Sequence, residues 1–446
     1  MAGARDGDIC RHAARSRLGA CGAGNARYAL CACESADRGR QRLRRFFRSG
    51  NETQRSAATA RSNRLGSILR WEMPTAKNVV PVNTRIPMDT PVLIVGAGPT
   101  GLTAALELAR RNVPVRIIER RDGPSILSRA VGIMPWAMDI LDASGAGPLV
   151  REASQPTRRL EVWSGSRRAA SLRMDVDPDP HVRLFCLPQN ETETILASRL
   201  SAHGVTVDYG QRLDSIEETE DAVRSTINGS IHMASYVLGA DGVRSAVRAH
   251  LGQELRGFDL QSKWSIADVD APEWSEPGVF RVFLRDDGEA IFVIPIGPTR
   301  FRAVASVPDA LAAMPVPIPV TRVHREGDFI IGIRQVGSYG RRRVWLAGDA
   351  AHTHSPVGGR GMNLGIEDAA EWAERLIGDR LERGIDEGYS VSRHVRGQEI
   401  IAFTERARRL VARRAGLGRS LALNALGTLG NMAPLNRAIA RRMLLT

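Results

Sequence analysis

Between residues 91 and 119 the hydrophobic pattern changes period twice. Pro91-Val-Leu-Ile-Val95 is an unbroken apolar run, as a strand covered on both faces requires. Gly96-Ala-Gly98-Pro99-Thr100-Gly101 interrupts it, residues 102–111 have helical amphipathic spacing, and residues 113–119 form a second apolar run that ends on Glu119. The pattern predicts strand, glycine turn, helix and strand, which together make one βαβ unit.

Downstream the periods alternate. Residues 136–143 read as a helix, and residues 160–163 and 170–174 as a hairpin across Ser164-Gly165. Leu187-Pro-Gln189-Asn190 leads into another helix, with Asn190 and Glu193 spaced as a capping box and Gly204 placed to end it. Alternating stretches at 205–208, 212–217, 223–227 and 231–238 predict a small antiparallel meander that returns to the first sheet. Residues 256–336 read as β-rich, with strands at 279–284, 290–296 and 300–307 and a Pro-rich break at 316–320. A strand at 343–346 runs into Gly348-Asp349, and residues 366–384 and 395–414 have helical patterns.

The glycines of the first turn each have a separate use. Gly96 permits the tight turn, Gly98 lets backbone approach a pyrophosphate, and Gly101 lets the helix pack close to the sheet. Free N–H groups and the dipole at the helix start favour phosphates. Glu119, 18 residues beyond Gly101, is placed to accept hydrogen bonds from an unphosphorylated ribose.

Charge and cysteine divide the chain. The formal net charge is +13, but residues 1–87 carry 17 Lys/Arg against 6 Asp/Glu, a balance of +11, which leaves +2 for the remainder. The basic balance therefore says nothing about the body and does not point to nucleic acid. The leader is expected to be disordered and upstream of the true start, since Met73 and Met88 both precede the first strand. Cys186 is the single cysteine of the body, which argues against a disulfide framework and suits a reducing, cytoplasmic setting. Cys31 and Cys33 lack partners at zinc spacing, so no metal is expected, and no run of 18 apolar residues predicts a membrane span.

Three motifs then stand in order: Gly96-x-Gly98-x-x-Gly101 with Glu119; Gly239-Ala-Asp241-Gly-Val-Arg244 with Arg248; and Gly348-Asp349-Ala-Ala-His352 through Pro356, Gly358-Gly359-Arg360-Gly361-Met362-Asn363 and Asp368. Together they resemble the single-component FAD-dependent aromatic hydroxylases, the para-hydroxybenzoate hydroxylase-like flavoprotein monooxygenases, over residues 90–410. The resemblance implies an α/β fold: a Rossmann-like FAD-binding domain (88–159, 187–255 and 337–395), an interleaved β-sheet substrate domain (160–186 and 256–336) and C-terminal helices (396–446). It implies that FAD is held by Gly96, Gly98, Pro99, Thr100, Gly101, Glu119, Arg120, Arg129, Gln189, Asp241, Gly348, Asp349, Pro356, Gly359, Gly361, Met362 and Asn363. Pro356 and the 358–361 loop are expected beside the flavin ring, and no dedicated catalytic base is identified.

By the same resemblance the chain hydroxylates a small aromatic or polyketide-like molecule with NADH or NADPH and O2, through a flavin C4a-hydroperoxide, as a monomer or homodimer. A prenyl-chain or other flavin-dependent reductase, or a non-catalytic FAD-binding remnant, is the alternative. Arg360 departs from the pattern, since many members carry Gln there, and the short 309–328 stretch predicts a reduced or open substrate side. His352 and His354 read as structural, Trp136, Trp163 and Trp264 as core or cavity wall, and Cys186 as a small buried hydrophobe.

Overall fold

A six-stranded sheet carries the first motif. The computed structural model describes residues 91–126, 129–274, 276–378, 385 and 387–445, and the expectations for the leader and Met88 lie outside these. Contacts group Val80–Thr446 as one unit. The strand order is Gly340–Arg341, Val344–Leu346, Val237–Gly239, Val92–Val95, Val115–Glu119, Val207–Tyr209. All pairings are parallel except that of the Gly340–Arg341 edge. Strand Val92–Val95 is buried along its whole length, which is why its sequence does not alternate.

Helix Pro99–Ala109 links the first two strands, starting on a proline whose missing N–H costs nothing at a helix start. It packs against helices Gln189–Ser201 and Gly361–Gly378, so the first and third motifs share one core layer. Of the predicted meander, Leu213–Glu218, Val223–Ile227 and Ser230–Ala234 form an antiparallel sheet, but the 205–208 stretch is corrected: Val207–Tyr209 pairs parallel with Val115–Glu119 at the edge of the first sheet, which the chain re-enters at Val237. The capping box is corrected: the helix begins at Gln189 with Pro188 before it and no side-chain cap. Glu193 instead accepts from Gln189 Nε2 at 2.8 Å, one turn inside the helix.

A seven-stranded sheet forms the second layer, in the order Arg322–Phe329, Trp264–Asp270, Arg300–Ala305, Ala290–Pro295, Val279–Leu284, Arg159–Ser164, Arg167–Arg173. Its period-2 pattern supplies two apolar faces. One buries Val269, Phe283, Ile291, Val293 and Phe301 beneath the 306–321 loop, whose Leu311, Met314, Val316 and Ile318 pack on it. The other carries Trp264, Ile266, Phe292 and Val304 and packs with Val357 of the third motif and with Leu423, Ala440 and Leu444 of the C-terminal helices. Residues 309–321 of the 309–328 stretch therefore cover the far face, and the last seven, 322–328, belong to an edge strand paired to Trp264–Asp270.

Helices Leu417–Gly430 and Ala433–Leu445 close over the strand Arg167–Arg173, so near that a β-carbon on Gly427 would lie 2.7 Å from the Ala169 carbonyl oxygen. No helix among the described residues is long and apolar enough to cross a membrane.

Candidate cofactor site

The three motifs meet at the carboxyl ends of the parallel strands, where open α/β sheets bind their ligands. Gly96 has φ +105°, and a β-carbon there would sit 2.4 Å from the Ala240 carbonyl oxygen, so the first turn abuts the second motif. Thr100 Oγ1 fills the space that β-carbons on Gly348 or Gly365 would occupy, at 2.5 and 2.3 Å, which joins the first motif to the third. Ala347 N–H donates to Gly239 O at 3.0 Å and Arg248 Nη1 to Ala350 O at 3.0 Å, joining the second to the third.

Gly98 differs from its neighbours. A β-carbon there would meet nothing within 4 Å, whereas one on Gly101 would lie 1.9 Å from Gly96 O. The turn is thus packed behind and open in front, at the start of a helix whose first N–H groups have no partner within the helix.

Carboxylates stand around this opening. Glu119 is 8% exposed; Oε2 accepts from Ala97 N–H at 3.0 Å and Oε1 from Arg121 N–H at 3.0 Å. Burial resists its ionisation, but the Arg121 guanidinium and these N–H groups outweigh that and hold its pKa below the usual value. Sequence reasoning placed Arg120 at the site; the structure leaves Arg120 exposed and gives the contact with Glu119 to Arg121.

Asp349 is solvent-accessible, yet protein atoms crowd it enough to raise its pKa, against the pull of His352 and Arg129. Its carboxylate is open to solvent on one side and packed by protein on the other. Asp241 uses Oδ2 to accept from Ala246 N–H at 2.7 Å, capping helix Ala246–His250, while Oδ1 is buried without a partner among the described residues. Burial raises its pKa as well.

Arg129 is exposed and lies 6.0 Å from the Phe329 ring. Its backbone is pinned from the other layer. Arg302, 0% exposed, donates through Nη1 to the carbonyls of Arg129 (3.1 Å) and Ala130 (3.3 Å), and through Nε and Nη2 to Asp268 at 2.6 Å each. Gln189 Oε1 accepts from Ala130 N–H at 3.3 Å, so it too holds this segment. Sequence reasoning missed Arg302 and Asp268, which read in isolation as ordinary charged strand residues.

The third motif is built on buried ions. Asp368 is 0% exposed, and its Oδ2 accepts from Gly348 N–H at 2.9 Å and meets His352 Nε2 at 2.6 Å. Its Oδ1 accepts from Arg393 Nε at 2.6 Å. Burial alone raises the pKa of Asp368, but Arg393, His352 and these hydrogen bonds bring it down to about 2. The network fixes the turn that presents Asp349, and it gives His352 the structural place expected of it.

Asn363 is also consumed by scaffolding: Oδ1 accepts from Met134 N–H and Nδ2 donates to Gly132 and Gly359 carbonyls, all at 2.8 Å. Pro356 and Gly359 are exposed, while Gly361 and Met362 are partly buried at the start of the helix. His354 lies beside Gly361; burial first, then the neighbouring His352 and Arg360, lower its pKa to about 4, so its ring is neutral at pH 7.

An open glycine turn, a buried acid at the end of the second strand, a solvent-facing acid and a glycine loop entering a helix are groups whose chemistry suits the pyrophosphate, ribose, ribityl chain and ring of a flavin dinucleotide. The FAD binding domain family model matches residues 89–326 and 317–404. The chain is 30% identical over 381 residues to a 6-methylpretetramide 4-monooxygenase of Streptomyces rimosus, covering 79% of this chain and 68% of that one. It is 28% identical over 347 residues to a rifampicin monooxygenase of Streptomyces venezuelae, covering 73% and 72%. In fold it resembles the crystal structure of p-nitrophenol 4-monooxygenase from Pseudomonas putida, with a TM-score of 0.71 at 24% identity over 79% of this chain and 96% of that one. The chain therefore belongs to the FAD binding domain family of flavoprotein monooxygenases, the para-hydroxybenzoate hydroxylase-like oxidoreductases.

Proposed function

We propose that the protein uses NADH or NADPH and O2 to place one oxygen atom on a small aromatic or polyketide-like molecule. The observation that carries this reading is the apolar sheet face on which the cofactor loop packs. Val357, next to Pro356, belongs to the same buried cluster as Trp264, Ile266, Phe292 and Val304 of the seven-stranded sheet. In this reading the substrate lies at the margin of that cluster, against rings and branched aliphatics; within it Trp264 stacks on Phe292 at 6.1 Å and 16°. Such a wall takes flat apolar ligands and keeps water away.

FAD, when bound, supplies the reducible ring and the reaction with O2. The chain supplies the rest. The Gly96–Gly101 turn and Arg129 hold phosphates, Glu119 the adenosine ribose, and Asp349, Asp241 and Gln189 the polar chain between. The N–H groups opening helix Gly361–Gly378 would stabilise the negative charge that the ring gains on reduction. In this reading the parallel sheet and its helices form the cofactor domain, and the seven-stranded sheet forms the substrate domain.

The test is a panel of phenolic and polyketide-like compounds given to the FAD-loaded protein. Stimulated NADH or NADPH oxidation with a product heavier by one oxygen atom supports the reading. Oxidation with a product that has gained hydrogen turns it to a reductase, and oxidation indifferent to every compound turns it to an FAD-binding remnant.

A further inference from the structure

Buried arginines in this protein are generally matched to acids: Arg302 to Asp268, and Arg393 to Asp368 and Glu371. Arg360 is not. It is 1% exposed, and its one hydrogen bond among the described residues runs from Nη2 to the Met443 carbonyl of the last helix. Nε and Nη1 are buried with no partner. The guanidinium carbon lies 5.0 Å from the Phe403 ring centre, and the charge that acts on it is another cation, Arg396. Burial lowers its pKa only to about 10, so it stays charged at neutral pH.

An ion in apolar surroundings with no counter-ion keeps its field, because neither solvent nor a carboxylate cancels it. Arg360 holds that field in the Gly358–Gly361 loop, one residue before a helix whose own start carries about half a positive charge.

We infer that Arg360 sets the redox balance of the cofactor: its uncompensated charge favours the negatively charged reduced ring and so raises the reduction potential of bound FAD. This rests on the reading that the ring lies against the 358–361 loop. Two-electron, one-proton reduction, by NADH, NADPH or a dye, leaves one negative charge on the ring, and a fixed cation in the loop stabilises that product more than the neutral oxidised form.

The test is a reductive titration of the full-length FAD-loaded protein against a redox dye of known potential, with sulfite affinity as a second measure. Sulfite forms an S–N bond to the oxidised ring and leaves the same negative charge on it. In R360Q the reduction equilibrium falls at least about tenfold, about 30 mV for a two-electron couple, and sulfite binding weakens in step. R360K, which keeps the charge, stays within about threefold of the parent.

Should the loop fail to hold FAD in R360Q, the F403E variant carries the test. It places a carboxylate beside the guanidinium and lowers the potential without touching Arg360. An unchanged potential in R360Q, or in F403E where R360Q is lost, overturns the inference, as does an R360K that falls as far as R360Q. A colourless parent protein that refuses FAD sinks the underlying reading instead, before any variant is made.

Discussion

Gly98 and Gly101 stand three residues apart, and a β-carbon means opposite things at the two. Gly98 has an ordinary φ of −79°, and its β-carbon would enter open space. A Gly98→Val protein therefore folds, with stability within about 0.5 kcal/mol of the parent, as for a surface substitution. Its FAD affinity falls at least about tenfold, or 1.4 kcal/mol, because the methyls enter the open space in which the proposed site holds the pyrophosphate. Gly101→Ala drives a methyl into Gly96 O and destabilises the fold itself by about 1–3 kcal/mol. Chemical denaturation beside flavin fluorescence separates the two, and equal FAD binding by Gly98→Val and the parent would mean that the turn is not the phosphate cradle. Cys186 is 0% exposed, with Sγ 3.4 Å from Thr157 Oγ1, and burial raises its pKa to about 11. At pH 8 on the order of one thiol in a thousand is ionised, so iodoacetamide labels it only after unfolding; rapid labelling of the native protein would contradict its place in the core.

At the scale of elements, helix Gly361–Gly378 is locked to the turn before it by Asp368, and to helix Glu387–Val411 through Arg393. Asp368→Asn leaves the Arg393 cation short of its nearest acid and costs about 3–5 kcal/mol in urea unfolding; a loss under 1 kcal/mol would show the network to be incidental. Acid sensitivity comes from a neighbour. His354 titrates near 4 in the folded protein against 6.5 in the unfolded chain, so protons bind the unfolded chain more readily. Stability is full above pH 6.5 and drains as the pH falls to 4. Solvent reaching part of the ring holds the loss to about 2 kcal/mol. His354→Asn flattens that limb, and unfolding measured at pH 7, 5 and 4 checks it. Asp368 acts in a lower window: its contribution is present above pH 3.8 and is lost as the pH falls through about 2.

What the sequence made legible at this scale follows from the chemistry of each position. The glycine turns were readable because positive φ and close backbone approach admit few residue types, and those constraints are local. The ion pairs were not readable, since Arg393 lies 25 residues from Asp368 and Arg302 lies 34 from Asp268. A chain with many arginines gives no sign of which ones the fold will bury. The capping-box expectation failed because Glu193 had a nearer partner in Gln189.

At the scale of the whole molecule, Arg302 ties one layer to the other. Its two ends belong to different parts of the fold: a bidentate pair with Asp268 inside the seven-stranded sheet, and two carbonyls of the Arg129–Ala130 segment on the cofactor side. Removing Arg302 alone strands the Asp268 carboxylate and confuses positioning with stability. Replacing the pair, in Arg302→Met with Asp268→Leu, exchanges a buried ion pair for apolar packing, a change that is often neutral for the fold. The Arg129 carbonyl then loses its donor, while the Ala130 carbonyl keeps the Gln189 N–H at 3.1 Å, so the segment loosens at Arg129 while the sheet persists. Expected outcomes are a thermal midpoint near that of the parent, FAD affinity at least about tenfold weaker, and a new tryptic cut after Arg129. FAD affinity within twofold of the parent, in a folded double variant, would mean that the seven-stranded sheet does not set the position of a segment that binds FAD and that the two layers touch without communicating.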